Sequence, residues 1–466
     1  MKNALKVDLD LVKKYNVPAP RYTSYPTALQ FREDIDAGEI VRVMREDVAA
    51  TGNVVSLYIH IPFCKSLCRY CGCTTVPATG DFAADRYIDC LEREIAVWRK
   101  RLEPGAGEQL TVAQLHFGGG TPSALTPAQI DRISAMLRAN FRFSADAEIS
   151  VELDPRSLTR EIVAAFRRLG CSRASLGVQD LDPRVQVAIH RVQPEPVVRQ
   201  AVEWLRAADF VSVNFDLIYG LPFQTPESYE KTLDAVLEMR PDRFAVFSYA
   251  HVPWIKPQQK LLEQGGGLPS PDEKIALLKT IVERLTASGF VYIGLDHFAR
   301  ESDELVHALH EHRLQRNFQG YSTHAGLPIV ALGMSSISQS ARTFSQNEKT
   351  LDGYESRILS GAPAETKGLI LSEEDLRRRE IIMRVMCDLR LDFAEMSEKF
   401  GFDFCERYSA EIAKLAPLAD DGLVEFFPDG NGFSVTRAGR MFIRNIAVPF
   451  DAYFVAGAQN RHSKTV

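Results

Sequence analysis
No stretch of this 466-residue chain approaches the ~20 consecutive apolar residues of a membrane-spanning helix. Its opening, MKNALKVDLDLVKKYN, carries acids where a secretory signal is apolar, so we expect a cytosolic protein whose thiols stay reduced. Positive charge is in deficit: 55 Lys and Arg against 61 Asp and Glu leave a net charge of −6, which argues against general nucleic-acid binding. There is no fixed-period repeat and no low-complexity tract, which sets repeat arrays aside. Cysteine is scarce, eight in all, yet four fall within ten residues, CKSLCRYCGC at 64–73. What remains is an ordinary soluble composition, 45% hydrophobic and 25% charged, enough for a large core in two or three domains.

From about residue 54 to 340, short β-rich runs alternate with helical patterns. The strand candidates are 54–61, 112–119, 148–154, 173–179, 212–220, 243–250 and 291–298. Between them, Ile88, Leu91, Ile95 and Leu102 recur at helical spacing. Thr126-Pro127-Ala128-Gln129 and Ser270-Pro271-Asp272-Glu273 read as capping boxes with proline at the first helical position, and Gly289 closes the second helix. Such alternation predicts an α/β fold built on a parallel sheet or barrel. Beyond about 350 the pattern changes to helices over 372–418, then a hairpin turning at Pro428-Asp429-Gly430-Asn431-Gly432, which suggests a small winged-helix-like module. We therefore expect an N-terminal extension (1–50), a barrel domain (51–350) and a mainly helical C-terminal domain (351–466).

Cys64, Cys68 and Cys71 have the spacing C-x3-C-x2-C. Structural zinc sites present two separated pairs, or a pair followed by two histidines, and no such partners follow here. Cys90, Cys171, Cys387 and Cys405 are isolated in apolar or helical contexts and read as buried structural residues. Three thiolates on one tight loop suit three irons of a [4Fe–4S] cluster, leaving the fourth iron open to a ligand. Gly118-Gly119-Gly120-Thr121-Pro122, at the end of the second strand, lets backbone approach such a ligand closely.

The cysteine spacing after a first β-strand resembles the radical S-adenosylmethionine superfamily, which implies a partial (β/α)6 TIM-like barrel. There the open iron chelates S-adenosylmethionine, and one electron cleaves it to a 5′-deoxyadenosyl radical. A more specific likeness runs through RYTSYPTA (21–28), LYIHIPFCKSLCRYCGC (57–73), HFGGGTPS (116–123), ISVELDPR (149–156) and SLGVQD (175–180). It continues in NFDLIYGLP (214–222), FSYAHVP (247–253), GLDHFA (294–299), RNFQGY (316–321) and LGMSSIS (332–338). Together these resemble the oxygen-independent coproporphyrinogen III oxidase family over nearly the whole chain. The resemblance implies conversion of two propionates of coproporphyrinogen III to vinyl groups, giving protoporphyrinogen IX in haem biosynthesis, with two molecules of S-adenosylmethionine. It makes Cys64, Cys68 and Cys71 the cluster ligands. Tyr58, Gly119, Glu152 and Ile337 would meet the first S-adenosylmethionine. Tyr70, Gly120, Thr121, Gln179, Arg191, Asp216 and Ala250 would meet the second.

Cys73 stands one residue past the third ligand, and in this family a fourth cysteine in C-x-C is needed for activity without binding iron. Whether it donates hydrogen near the radical or makes a structural contact stays open. The acidic substrate calls for cations, for which Arg21, His297, Arg300 and Arg316 lie in matched motifs; Arg21 and Tyr22 belong to an extension that would fold over the barrel mouth. Two rival readings stand: a haem-binding chaperone, and a C-terminal module that binds DNA or a partner through Arg437, Arg440 and Arg444. Asp420, Asp421 and Glu425 weigh against the latter, and we expect no nucleic-acid partner, a monomer, and an external electron donor and acceptor of unspecified identity.

Overall fold
A computed structural model describes residues 4–78, 80–103, 105 and 108–455. Twelve strands form one continuous sheet. In chain order they are β1 (Val54–Ile61), β2 (Thr111–Gly119), β3 (Arg142–Leu153), β4 (Arg173–Gln179), β5 (Ser212–Tyr219) and β6 (Arg243–Ser248), then β7 (Phe290–Gly294), β8 (His297–Arg300), β9 (Ile329–Leu332), β10 (Ile337–Gln339), β11 (Thr343–Asn347) and β12 (Glu365–Ile370). Their spatial order is β12-β11-β10-β9-β1-β2-β3-β4-β5-β6-β8-β7. The strands from β9 through β1 to β6 run parallel, and those beyond them on both edges pair antiparallel. β12 and β7 do not meet, so the six βα units of β1–β6 form the expected open, partial barrel.

Period-two alternation decides which residues face inside. On β1, Val55, Leu57, Ile59 and Ile61 are buried against the helices, which leaves Ser56, Tyr58 and His60 for the interior. Matching register brings His116 beside Tyr58, Ser150 beside His116, and Glu152 beside Ser175. Helices return over the outer face, and the expected punctuation starts and stops them. Thr126/Gln129 and Ser270/Glu273 form reciprocal capping boxes, and Gly289 follows the second helix with φ +86°.

The structure corrects four sequence readings. The run 291–298 is not one strand but the hairpin β7–β8, turned at Leu295 with φ 52°. β3 begins at Arg142 rather than 148. The main sheet continues past 350 through β12, and helix Leu351–Leu359 packs on helix Asp81–Arg101, because β11 would otherwise be an open edge. Cys405 is exposed rather than buried: on helix Phe404–Arg407 it is the neighbouring Phe404 that turns inward.

The C-terminal module has the expected winged-helix-like order: helix Glu373–Met383, capped by Ser372/Asp375, then short helices, and a three-stranded sheet of Arg390–Asp392, Gly432–Val435 and Val424–Phe426. The N-terminal segment is held between this module and the barrel. Arg21 pairs with Asp296, the Tyr22 hydroxyl donates to Asp451 at 3.0 Å, and Arg444 donates to the carbonyls of Ala19 and Pro20.

One buried carboxylate organises the turn before β10. Glu94, 2% exposed, accepts from Gly333 N–H at 2.8 Å, Tyr354 OH at 2.7 Å and Asn347 Nδ2 at 2.6 Å. Burial pushes its pKa up to about 7 despite those donors. A raised folded-state pKa gives stability that is complete below the ordinary carboxyl range and lost as pH rises through about 7. The wild-type unfolding midpoint should therefore fall between pH 5 and 8 more steeply than that of Glu94→Gln. Parallel midpoint–pH curves for the two proteins would contradict this.

Candidate functional site
At the C-terminal ends of the parallel strands lie two cavities that share Cys73, Gly119 and Glu152. The first, about 210 Å³, is lined by Cys64, Cys68 and Cys71, by Gly120 and Thr121, and across the barrel by Gln179, Arg191 and Asp216. Tyr70 lines it as well. The second, about 280 Å³, is lined by Tyr58, His60, His116, Phe318, Gln319 and Ile337. The residues expected at two separate molecules thus divide between two adjoining cavities. Ala250 lines neither; its carbonyl accepts from Gln259 Nε2 at 3.3 Å.

The cysteine loop is held in place by other segments. Lys256 Nζ donates to Cys73 O at 2.7 Å, Gln258 Nε2 to Cys71 O at 3.2 Å, and Gln259 Nε2 to Tyr70 O at 2.9 Å. Arg69 reaches Ala188 O at 3.2 Å, and the His190 ring donates to Leu67 O at 3.1 Å. On its inner side Cys68 Sγ receives two guanidiniums, Arg156 Nη2 and Arg191 Nη1, each at 3.5 Å. Asp154 lies between them, 2.7 Å from Arg156 and 3.0 Å from Arg191, and although burial alone would raise its pKa, these cations hold it below the ordinary carboxylate range. Cys64 Sγ lies 3.3 Å from Thr121 Oγ1, and burial pushes its thiol up to about 11. Hydrogen bonding from Cys73 draws the Cys71 thiol down and drives that of Cys73 up.

In the second cavity the hydrogen bonds fix the histidine tautomers. His60 Nε2–H donates to Thr74 O at 2.9 Å, so its Nδ1 accepts from Tyr58 OH at 3.1 Å; burial keeps the ring neutral. His116 Nε2–H donates to Glu152 at 3.3 Å, and its Nδ1 accepts from Ser150 OH at 2.7 Å. Glu152 also accepts from Gly119 N–H at 3.2 Å; burial opposes its charge, but these donors keep it ionised. Asp216 differs. Burial, aided by the charge of Glu152, raises it to about 7 against the hydrogen bonds from Ser175 OH and Asn214 Nδ2, each at 2.8 Å, and the charge of Arg191.

Among the described residues, no three Cys, His, Asp or Glu side chains converge on a point where one ion would sit. The three sulfurs suit a polynuclear group, whose irons are separate, better than a single zinc. The cradle requires its glycines. A Cβ on Gly120 would lie 2.4 Å from Pro62 O, and Gly119 holds φ +112° with His60 2.6 Å from any Cβ. The sequence reading passed over His60, His116, Asp154 and Arg156. All four stand in motifs quoted for the family likeness, and the signal that finds His60 and His116 is their place on the inner-facing parity of strands whose alternate residues are apolar.

Tyr22, 1% exposed and bound to Asp451, and Arg21, paired with Asp296, line neither cavity. Arg300 donates to Pro241 O at 2.9 Å and lies over Phe290, a structural setting. Arg316 and His297 line neither cavity: both meet the Tyr321 ring, and His297 also meets Phe247, which lines the first cavity.

An open parallel barrel with three clustered cysteines and a glycine cradle at its strand ends defines a radical S-adenosylmethionine protein, and the model of the Radical SAM superfamily matches residues 58–236. The model of the HemN C-terminal domain matches 371–442. The oxygen-independent coproporphyrinogen III oxidase of Escherichia coli (strain K12) is 43% identical, with 96% of this chain and 95% of that protein covered. Its namesake from Helicobacter pylori (strain J99) is 40% identical over 99% of both chains. The solved structure of coproporphyrinogen III oxidase (HemN) from Escherichia coli superposes with a TM-score of 0.89 at 40% identity, over 97% of this chain and all of that one. The chain belongs to the oxygen-independent coproporphyrinogen III oxidase family.

The cradle gives a direct test. Gly120→Ala must push against Pro62 backbone and should destabilise the protein by ~1–3 kcal/mol, whereas a Cβ at Gly72 meets nothing within 4 Å. Denaturant unfolding of Gly120→Ala and Gly72→Ala side by side checks this; equal midpoints would contradict the crowding.

Proposed function
We propose that this protein carries out oxygen-independent oxidative decarboxylation of two propionate side chains of coproporphyrinogen III, giving protoporphyrinogen IX. The observation that carries the reading is the cysteine loop facing a cavity at the strand ends, in a chain that matches proteins of that name end to end. Each propionate loses a hydrogen atom, CO2 and one further electron, which an acceptor outside the chain takes up.

Cys64, Cys68 and Cys71 would hold a [4Fe–4S] cluster. Once bound, the cluster would provide the single electron that reductive cleavage of S-adenosylmethionine requires, the chemistry used for hydrogen-atom abstraction. Glu152, ionised and aimed into both cavities, takes an ammonium group or ribose hydroxyls. Tyr58, Gly119 and Ile337 complete that seat, and Tyr58 also orders the loop after the cysteines through His60 and Thr74. Arg191 pairs with a carboxylate in the first cavity beside Tyr70, Gly120, Thr121, Gln179 and Asp216. Ala250 acts only through its backbone, by way of Gln259. Cys73, at the junction of the cavities, meets substrate or cosubstrate rather than iron. Arg21 and Arg316 serve the substrate's carboxylates, and Tyr22 locks the N-terminal segment over the site.

Among the described residues no helix is long and apolar enough to cross a membrane. We place the protein in the cytosol, as a monomer served by an external one-electron donor, and we divide it into the extension 1–50, the barrel domain to Ile370 and the module that follows.

The deciding experiment is anaerobic turnover of coproporphyrinogen III by reconstituted protein with product identification. Cys64→Ala, Cys68→Ala and Cys71→Ala should each lose the oxygen-labile iron–sulfur absorbance. Cys73→Ser should keep it and lose most decarboxylation; failure of that variant to assemble a cluster would make Cys73 a ligand instead.

Arg191→Ala removes a charge-assisted pair worth ~1.5–3 kcal/mol. It should still form 5′-deoxyadenosine while completing few conversions. Tyr58→Phe should lower 5′-deoxyadenosine itself. Equal loss of both products in both variants would refute two separate seats.

A further inference from the structure
Among the described residues, Arg316 is buried with no counter-charge. It sits on the short strand Gln315–Asn317, opposite Tyr321 of Gly320–Ser322, with its guanidinium 4.9 Å from the Tyr321 ring. The residue is 7% exposed, its Nε and Nη1 find no hydrogen-bond partner, and among the described residues no carboxylate pairs with it. A second basic group without a full complement adjoins it: His297, whose Nδ1 is buried and unpartnered and whose ring meets Tyr321 edge-on at 5.3 Å. A third, Arg21, paired with Asp296, is close enough that the guanidiniums disfavour charge on the basic groups around them. Burial of an isolated cation is among the least favourable features a fold can carry, and a fold keeps one where something else neutralises it. His297 in turn meets Phe247, a residue of the cysteine cavity's wall, with ring centroids 6.2 Å apart.

We propose that Arg316, backed by His297 and Arg21, is the receptor for one propionate carboxylate of the tetrapyrrole, and that this ligand supplies the missing negative charge. The guanidinium fork suits a carboxylate, which accepts two parallel N–H bonds. The identity of the ligand rests on the decarboxylase reading above; the need for an anion rests on the geometry alone. The proposal separates from a packing role by sign. If Arg316 served only to stack on Tyr321, its removal would weaken the fold and leave ligands unaffected. If it awaits a carboxylate, replacing it with an apolar side chain of similar length relieves the ligand-free protein and removes the ligand's partner.

The test uses the full chain under anaerobic conditions without S-adenosylmethionine. Coproporphyrin III, the oxidised and fluorescent tetracarboxylate, is titrated into wild type, Arg316→Met and Arg316→Lys, with etioporphyrin, which has no carboxylates, as the uncharged probe. Thermal unfolding of each unliganded protein is measured in parallel. We expect Arg316→Met to bind coproporphyrin about tenfold to hundredfold more weakly, to bind etioporphyrin as wild type does, and to unfold at a higher temperature. Arg316→Lys keeps the charge without the fork; it should lose affinity for coproporphyrin without the gain in unfolding temperature. A lower unfolding temperature for Arg316→Met with unchanged coproporphyrin affinity overturns the proposal. Should Arg316→Met not fold, unchanged coproporphyrin affinity in Arg316→Lys overturns it by itself. Wild type that binds coproporphyrin through Arg316 but turns over no coproporphyrinogen would sink the decarboxylase reading and leave this one standing; normal turnover with Arg316 variants that bind like wild type would do the reverse.

Discussion
The carbonyls of Leu67, Tyr70, Cys71 and Cys73 each accept a hydrogen bond from a side chain of another segment, and the site depends on that borrowing. A loop with three cysteines in eight residues has almost no secondary structure with which to satisfy its own backbone. The donors come from 190 and from 256–259, loops that follow β4 and β6 across the barrel. Correct placement of the sulfurs therefore requires that the barrel has already curved far enough to bring those loops over β1. The cysteine loop is a product of the whole sheet rather than a local motif.

The same dependence explains why the chain's two ends meet. The parallel strands leave an open side, and the barrel's antiparallel edge β7–β8 carries Asp296 at its turn. Arg21 pairs with that carboxylate, while Tyr22 and the carbonyls of Ala19 and Pro20 are bound by Asp451 and Arg444 of the C-terminal module. Extension and module thus form one layer, and neither has its contacts without the other. Such a layer closes the side of the barrel that the sheet cannot, and keeping water from a radical is a reason to close it.

Much of this was legible in the sequence, and for identifiable reasons. β1 and β4 were read to the residue because apolar alternation is strict there and ends at loop residues. The capping boxes were legible because side chain and backbone signal each other within four residues. The cysteine spacing was legible because metal ligands tolerate few substitutes. What failed was long-range. Nothing in Glu365–Ile370 tells a reader that it joins a sheet begun three hundred residues earlier, and a run such as 291–298 gives no sign of folding back when its turn is Leu295 and Asp296 rather than Gly and Asn. Asp154 was overlooked because its meaning lies in Arg191, 37 positions away. Arg21 and Tyr22 read as part of an extension folding over the barrel mouth, but nothing in the sequence shows that their side chains bind Asp296 and Asp451 rather than line a cavity.

Net charge is a poor guide to what a site binds. A chain of −6 argues only against general nucleic-acid binding, and it does not preclude local cations facing an acidic ligand. Arg156 and Arg191 share Asp154 beside the cysteines; Arg21 has Asp296, and among the described residues Arg316 has no carboxylate. The acids that make the total negative are largely on the surface, paired at exposed positions such as Glu39, Glu46 and Asp131, where solvent screens them. A buried cation in a low-dielectric pocket acts on its ligand far more strongly than many exposed carboxylates act from outside. What bears on an acidic ligand is therefore not the total but the few buried cations, Arg191 beside the cysteines and Arg316 over the Tyr321 ring, and how far each is already neutralised.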